Sequence, residues 1–337
     1  MTDHKILPQV SILVPVYGVE KWIEKCAVSL LEQDYPSLQF VFVDDCTPDE
    51  SMNVLQSVIE RFPWQKDNIQ IIRHHRNRGL SAARNTALHA AAGDFVMPVD
   101  SDDYLSCHTA VSQIMADLLR EGADAAIFDM QHIFPDKTVE KHQTLPSDHN
   151  EYIRRLISRQ TAVCLWGGIY QRSLFTGHGI HSIEGLNMGE DYAVKPRLLY
   201  AAKKIIHVSR PFYCYSHLSE NTYTKKFSDK YVSDLKQALS VLTDFFRHVP
   251  DAADFESSLH HAHLQVQAEL FLWWGVYHGS RSSFTEISRM EPPGGQVSAC
   301  RLSLKYRVIL FLARHHLLTP LRLYSSTGLK IKNLLKS

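Results

Sequence analysis

The sequence predicts an α/β fold, a mostly parallel sheet flanked by helices, followed by a C-terminal helical region. Three observations predict it. Apolar β-branched runs alternate with helix-periodic segments through the first hundred residues. The strand-like runs are apolar throughout rather than alternating, which is the mark of strands buried on both faces. Beyond residue 226 the pattern changes to long amphipathic helices.

In chain order, residues 10–16 (VSILVPV) read as a buried strand. Residues 20–33 place Trp22, Ile23, Cys26, Ala27, Leu30 and Leu31 at helical spacing, and Asp34-Tyr35-Pro36 stops that helix. Residues 40–43 (FVFV) read as a second strand. Thr47-Pro48-Asp49 is expected to open the next helix, with Pro at an early position where its missing N–H costs nothing. That helix puts Met52, Leu55, Val58, Ile59 and Phe62 on one face. Residues 69–73 form a short strand. Residues 81–92 form an Ala-rich helix ended by Gly93, and residues 95–99 a fourth strand. Residues 108–122 read as a helix, 125–128 as a strand, 135–149 as a polar loop and 151–158 as the start of a helix. Strand-like pieces follow at 163–165, 205–208 and 212–215. Two long helices are expected over 229–247 and 254–278, and Pro292-Pro293-Gly294-Gly295 breaks the chain before a basic tail.

Length and composition bound the function. The chain has 337 residues, with 45% apolar and 21% charged, ordinary values for a globular enzyme of one large or two intimate domains. The 36 Lys/Arg balance the 36 Asp/Glu, which argues against nucleic-acid binding by bulk charge. The polar start MTDHKILPQV has no signal-peptide pattern, and no apolar run reaches spanning length. Six scattered cysteines without a C-x-x-C read as reduced thiols, the pattern of a cytoplasmic protein. The charge is unevenly spread. Glu291 is the last acidic residue and eight Lys/Arg follow it, so residues 1–291 carry about −8 and the tail +8.

Open parallel sheets bind ligands at the carboxyl ends of their strands. Pro15-Val16-Tyr17 follows the first strand, Asp44-Asp45 the second, and Asp100-Ser101-Asp102-Asp103 the fourth. Five carboxylates aimed at one edge repel unless a cation joins them. Mg²⁺ or Mn²⁺, held by one or two carboxylates and a substrate phosphate, meets that need. The competing reading makes such Asp residues caps and turn formers, and Asp49 is read that way. No G-x-G-x-x-G follows the first strand and no P-loop occurs, which disfavours a dinucleotide site or a Walker ATPase. Nineteen histidines show no metal-ligand spacing. Trp273-Trp274 reads as core packing on an amphipathic helix rather than a sugar-stacking platform.

Four blocks stand out, VSILVPVY at 10–17, FVDDCTPD at 42–49, NRGLSAARN at 77–85 and GDFVMPVDSDD at 93–103, with looser signals at LWGGIYQRSLF (165–175) and Gly189-Glu190-Asp191. In these the chain resembles the family 2 inverting glycosyltransferases of GT-A fold, specifically over residues 8–104, with nothing diagnostic beyond about residue 225. The resemblance implies a GT-A domain over 1–225, with a nucleotide-binding half at 1–105 and an acceptor half at 106–225. A helical extension at 226–291 and a basic amphipathic tail at 292–337 follow. It implies that Pro15, Tyr17 and Asp44 form the pocket for the nucleotide base, with Asp45 close by. Arg84 would face the diphosphate, Asp100 the ribose and Asp102 the metal, while Asp191 would be the catalytic base, with Glu190 its nearest competitor. Two departures stand out. Cys46 occupies a turn position where Gly is common, and the common Tyr-x-Arg element reads Tyr215-Ser216-His217, leaving His217, Lys225 and Lys226 as the nearby cations.

The expected protein is therefore a metal-dependent inverting glycosyltransferase. It moves a sugar from a nucleotide-sugar, a UDP-sugar by resemblance, to the hydroxyl of a glycan or lipid-linked acceptor in surface-polysaccharide assembly. A non-catalytic sugar-nucleotide or glycan-binding module, and a nucleotidyl or phosphoryl transferase, remain as alternatives. A cytoplasmic location is expected, with residues 296–337 set either against the inner face of an anionic membrane or packed on the protein. An oligomer is left open.

Overall fold

The computed structural model describes residues 7–218, 227–292 and 302–334. Lys225, Lys226, Cys300 and the Pro293-Gly294-Gly295 break lie outside them, as does part of the basic tail. The chain divides into two compact units. One comprises residues 1–149, 161–185 and 194–221, and the other 150–160, 186–193 and 222–337.

The first unit is a nine-stranded sheet with helices. Its opening half comprises β1 (Val10–Val16), α1 (Ile23–Leu31), β2 (Leu38–Asp44), α2 (Ser51–Glu60), β3 (Ile69–Arg73), α3 (Leu80–Ala90) and β4 (Phe95–Pro98). All seven residues of β1 are buried: β2 and β4 pair with it on either edge, and α3 packs against it. Burying each such Val, Ile or Leu contributes about 1.5–3 kcal/mol. β3, β2, β1 and β4 run parallel in that order. Val16 lies opposite Asp44 and Leu13 opposite Pro98, so the turns after β1, β2 and β4 emerge along one edge.

The later part is mixed. It comprises β5 (Tyr104–Leu105), α4 (Ala110–Glu121), β6 (Ala125–Ile133), β7 (Thr138–Lys141), α5 (His149–Ile157), β8 (Gly168–Gln171), α6 (Arg172–Thr176), α7 (Glu190–Ala201) and β9 (Ile205–Ser216). β8 is antiparallel to both β4 and β6, and β9 is parallel to β6, with register shifts on either side of Asp129. α5 and α7 each run from one unit into the other.

Four sequence expectations are corrected here. The expected strand at 163–165 is irregular; pairing begins at Gly168, after Gly167 at a φ of +77°. The expected loop at 135–149 contains β7, an exposed edge strand with no apolar face to betray it. The two pieces at 205–208 and 212–215 are one twelve-residue strand, β9. α2 starts at Ser51, so Pro48 lies in the turn before it.

The second unit is helical. Its main members are α8 (Asp229–Arg247), α9 (Glu256–Val276), α10 (Arg281–Ser288), α11 (Leu304–Arg314) and α12 (Leu318–Leu334). α10 was not visible as a helix in the sequence; it is short, Ser-rich and capped by Ser280, whose hydroxyl accepts from the Ser283 amide. α9 is the central helix, and α8, α10, α11 and α12 all pack against it. A Cβ at Gly275 would lie 2.6 Å from Ser325 Oγ, so only glycine lets α12 approach α9 that closely. Trp274 is 1% exposed and donates its indole N–H to the Ser280 carbonyl, a core role, while Trp273 stacks on Tyr277. Among the described residues no helix is long and apolar enough to cross a membrane.

Candidate active site

The turns after β1 and β2 are tied to each other by side chains. The amides of Gly18, Val19 and Glu20 donate to Thr47 Oγ1, Ser51 Oγ and Asp49 Oδ2 at 2.9–3.0 Å. Asp49 also accepts from the Thr47 hydroxyl and from Ser51, and these hydrogen bonds hold its carboxyl below the ordinary range against the opposing pull of burial. It is a turn former, as the sequence suggests. This lattice leaves Tyr17, 49% exposed, standing beside the acidic turn.

Within that turn Asp44 and Asp45 are both buried and both engaged. Asp44 accepts from the Thr47 amide at 2.8 Å and pairs with Arg73 at 3.1 Å. Asp45 accepts from His74 Nδ1 at 2.6 Å and from the amides of Arg78 and Gly79 at 2.8 and 2.7 Å, so it organises the loop that leads into α3. Cys46 takes a φ of +57°, the left-handed conformation that favours glycine.

α3 supplies Arg84 and Asn85. Arg84 is buried and pairs with Asp100 Oδ1 at 2.9 Å, which neutralises the first carboxylate after β4. Behind Arg84 lies a small apolar pocket lined by Pro15, Leu88, Pro98 and Phe175, so Pro15 supports the arginine from within the sheet. Asn85 and Ser182 exchange two backbone–side-chain hydrogen bonds at 2.9 and 3.0 Å, and Arg78 meets Glu184 at 3.0 Å. These contacts pin the loop after α6 onto α3.

The turn after β4 holds the third group of carboxylates. Asp103 is buried and accepts from the Tyr213 hydroxyl at 2.8 Å and the Ser216 amide at 2.7 Å. The same hydroxyl accepts from the Asp100 amide at 3.1 Å, so one tyrosine of β9 braces both ends of the turn. Trp166 stacks on Tyr213 and Tyr215, each at 4.8 Å between ring centroids. Asp102 differs. Among the described residues its carboxylate accepts only from its own backbone amide, and burial together with the Asp100 charge pushes its pKa up to about 6. Asp103, Cys26 and Tyr213 are pushed up as well, chiefly by burial and then by these neighbouring carboxylates. The turn is thus a desolvated, locally negative spot with one carboxylate unspent, and hard oxygen donors of this kind suit a divalent cation. Among the described residues no three His, Cys, Asp or Glu side chains converge into a complete cation cage. A cation here would draw its remaining ligands from water and substrate phosphates.

His217 stands at the end of β9 where the family resemblance suggests arginine. Its Nε2 lies 2.9 Å from His132 Nδ1, and its ring stacks on Phe134 at 4.2 Å. Burial and then the neighbouring His217 lower the His132 pKa.

Asp191 belongs to the second unit. It lies half-buried in the first turn of α7, inside the helix rather than at its cap. Gly189 has a φ of +79°, and a Cβ there would come within 3.1 Å of Leu235, so glycine is required to bring the chain into α7 against α8. Asp234, fully buried on α8, accepts from the Asn187 amide at 3.0 Å and fixes the same approach.

Of the residues expected at the site, the structure brings Arg84, Asp100 and Asp102 together and places Asp44 and Asp45 in one turn. Sequence reading assigned no part to Tyr213, His74 or Asn85. The period-two face of Tyr213, Tyr215 and His217 was the available signal for the first; Asn85 sits inside the quoted A-R-N element, and His74 gave none.

A parallel half-sheet whose strand-end turns carry a basic–acidic pair and a spare carboxylate, continued by a mixed half, defines the GT-A class. Residues 11–175 match the family described as Glycosyl transferase family 2. A glycosyltransferase named GlyA from Streptococcus pneumoniae is 26% identical over 252 residues, covering 71% of this chain and 34% of that protein. The crystal structure of Staphylococcus aureus TarS residues 1–349 in complex with UDP-GlcNAc matches with a TM-score of 0.68 at 19% identity, over 96% of this chain and 92% of that one. A Pyrobaculum calidifontis mannosyltransferase, PcManGT, in complex with GDP-Man and Mn²⁺ matches with a TM-score of 0.54 at 18% identity, over 99% and 89% of the two chains. At these identities the two structural likenesses speak to fold. The chain spans 34–64% of the length of the first curated relatives it matches.

Proposed function

We propose that the chain is a metal-dependent inverting glycosyltransferase. It uses a nucleotide-sugar donor, a UDP-sugar, and an acceptor hydroxyl on a glycan or lipid-linked glycan in surface-polysaccharide assembly. The reaction would proceed on the cytoplasmic side, where such donors are made. The observation that carries this reading is Asp102, a half-buried carboxylate that no other described residue engages, beside the Arg84–Asp100 pair at the strand ends. It is supported by the donors held in the two structures of the same fold.

In this reading Tyr17 and Asp44 receive the base, Pro15 backs the pocket, and Asp45 keeps the surrounding loop in place. Asp100 would face the ribose, and Asp102 would hold Mn²⁺ or Mg²⁺, which when bound supplies positive charge for the diphosphate leaving group. Arg84 is fixed by Asp100 and adds a guanidinium on the diphosphate side, where charge develops as the bond from the sugar C1 to the phosphate oxygen breaks. The acceptor oxygen forms the new bond to C1 from the opposite face, and its proton passes to Asp191, as the family resemblance suggests.

Donor hydrolysis and transfer, measured with Mn²⁺ and with EDTA, test the reading. Activity should require the metal. Asp191→Asn should keep nucleotide-dependent thermal stabilisation while kcat falls on the order of a hundredfold or more. Inactivation by Glu190→Gln but not by Asp191→Asn would transfer the base role to Glu190. Tight donor binding with no hydrolysis or transfer would instead identify a binding module.

A further inference from the structure

The last two described helices present an unusual surface. α11 buries Ile309, Leu310 and Ala313, and Tyr306 donates to Glu269 of α9 at 3.1 Å, so its orientation on the helical unit is set. The opposite face carries Leu304, Arg307, Phe311 and Arg314. Their 3-4-3 spacing puts them on one stripe about 15 Å long. Leu304 is 73% exposed and Phe311 57%, while Leu323 of α12 is 64% exposed. These are three of the four most exposed large apolar side chains among the described residues, whereas a surface with no partner scatters such groups singly. Among the described residues, neither Arg307 nor Arg314 has an ion-pair partner.

We infer that this face of α11 docks on the surface of an anionic lipid bilayer. Charge selects the partner. Between Glu291 and Ser337 there are eight Lys/Arg and no acidic residue, so the exposed apolar groups of α11 and α12 lie on helices that carry cations and no carboxylate. A protein partner would have to match that with a wholly acidic surface, whereas an anionic leaflet presents one everywhere. Alternating Leu and Phe with Arg suits a helix lying in the headgroup layer: the apolar side chains enter the acyl boundary and the guanidiniums stay among phosphates. No described helix spans a bilayer, so attachment would be peripheral. The inference rests on the transfer reading only for its use, since a lipid-linked acceptor lies in the same plane; binding itself is measured without donor or acceptor.

Co-sedimentation of the full chain with vesicles decides it. The chain should pellet with phosphatidylglycerol–phosphatidylcholine vesicles at low salt, stay in solution with phosphatidylcholine alone, and be released as salt shortens the screening length. Arg307→Gln with Arg314→Gln should weaken partitioning about thirtyfold. Leu304→Ser with Phe311→Ser should weaken it at least as much. An unchanged melting temperature shows that each variant is folded, and the salt series on the unaltered chain needs no variant. A chain that ignores anionic vesicles at low salt overturns the inference, as does undiminished binding by both variants. A dimer in solution that Phe311→Ser disperses would also overturn it, by showing that a second copy covers this face.

Discussion

The turn after β2 and the turn after β4 carry similar acidic residues and use them differently. After β2, both carboxylates are engaged by the protein: Asp44 by Thr47 and Arg73, Asp45 by His74 and two loop amides. After β4, Asp100 is met by Arg84 and Asp103 by Tyr213 and Ser216, yet among the described residues Asp102 has only its own amide as a partner. Hydrogen bonds from two amides and an imidazole make the buried Asp45 a structural part and, in the proposed reading, leave Asp44 beside it for the base. Burial beside another carboxylate makes an aspartate a site that seeks a cation. The difference lies in the partners and not in the aspartates.

The largest break in this comparison comes from Asp102→Asn. Transfer should fall at least a hundredfold, and Mn²⁺ should no longer raise the melting temperature. The pH dependence has a definite sign. With a native pKa of about 6 against an ordinary 3.8, the folded state binds more protons than the unfolded one between those values. The Asp102 contribution to stability therefore declines as pH rises through that window and its charge cost is complete above it. Mn²⁺ should stabilise the wild type more at pH 7.5 than at pH 5, and Asp102→Asn should stabilise the metal-free protein at the higher pH. Equal stabilisation by Mn²⁺ at both pH values would erase the contrast between the turns.

Asp45→Asn probes the other side. An amide cannot accept at both ends, so one of the Arg78 and Gly79 amides or His74 loses its acceptor in a buried setting. The expected cost is about 2–4 kcal/mol, a fall of roughly 5–10 °C in melting temperature. An unchanged melting temperature would show that Asp45 is not the organiser of this loop. The smallest effect is expected from Cys46→Gly, which relieves a left-handed residue in the same turn and should add about 1 kcal/mol of stability. Calorimetry showing no gain would mean that the Cys46 side chain compensates for its backbone.

Much of this was legible in the sequence. The continuous apolar runs at 10–16 and 40–43 identified two parallel strands, because burial on both faces leaves no polar alternation, while the end strand at 69–73 was legible from its isoleucines although it is largely exposed. Strands with little apolar content escaped: β7 is largely exposed, and β8 opens on Gly168. The site was legible as paired aspartates at strand ends. Which of them would be spent was not, because the deciding partners lie far along the chain. His74 is 29 residues from Asp45, and Tyr213 is 110 from Asp103. The turn preference at Cys46 was legible through the family resemblance, in which glycine is common at that position, and its φ of +57° is the conformation glycine favours.

Trp166 has a consequence of its own. Its indole is sandwiched against Tyr213 and Tyr215 at interplanar angles of 13°, and the Tyr213 hydroxyl bridges the backbone of Asp100 and the carboxylate of Asp103. The protein thus carries an intrinsic chromophore wired to its acidic turn. Any ligand that shifts that turn must alter the stacking and with it the tryptophan emission, so the arrival of a nucleotide or a cation should be visible as a change of colour and intensity, with no label attached.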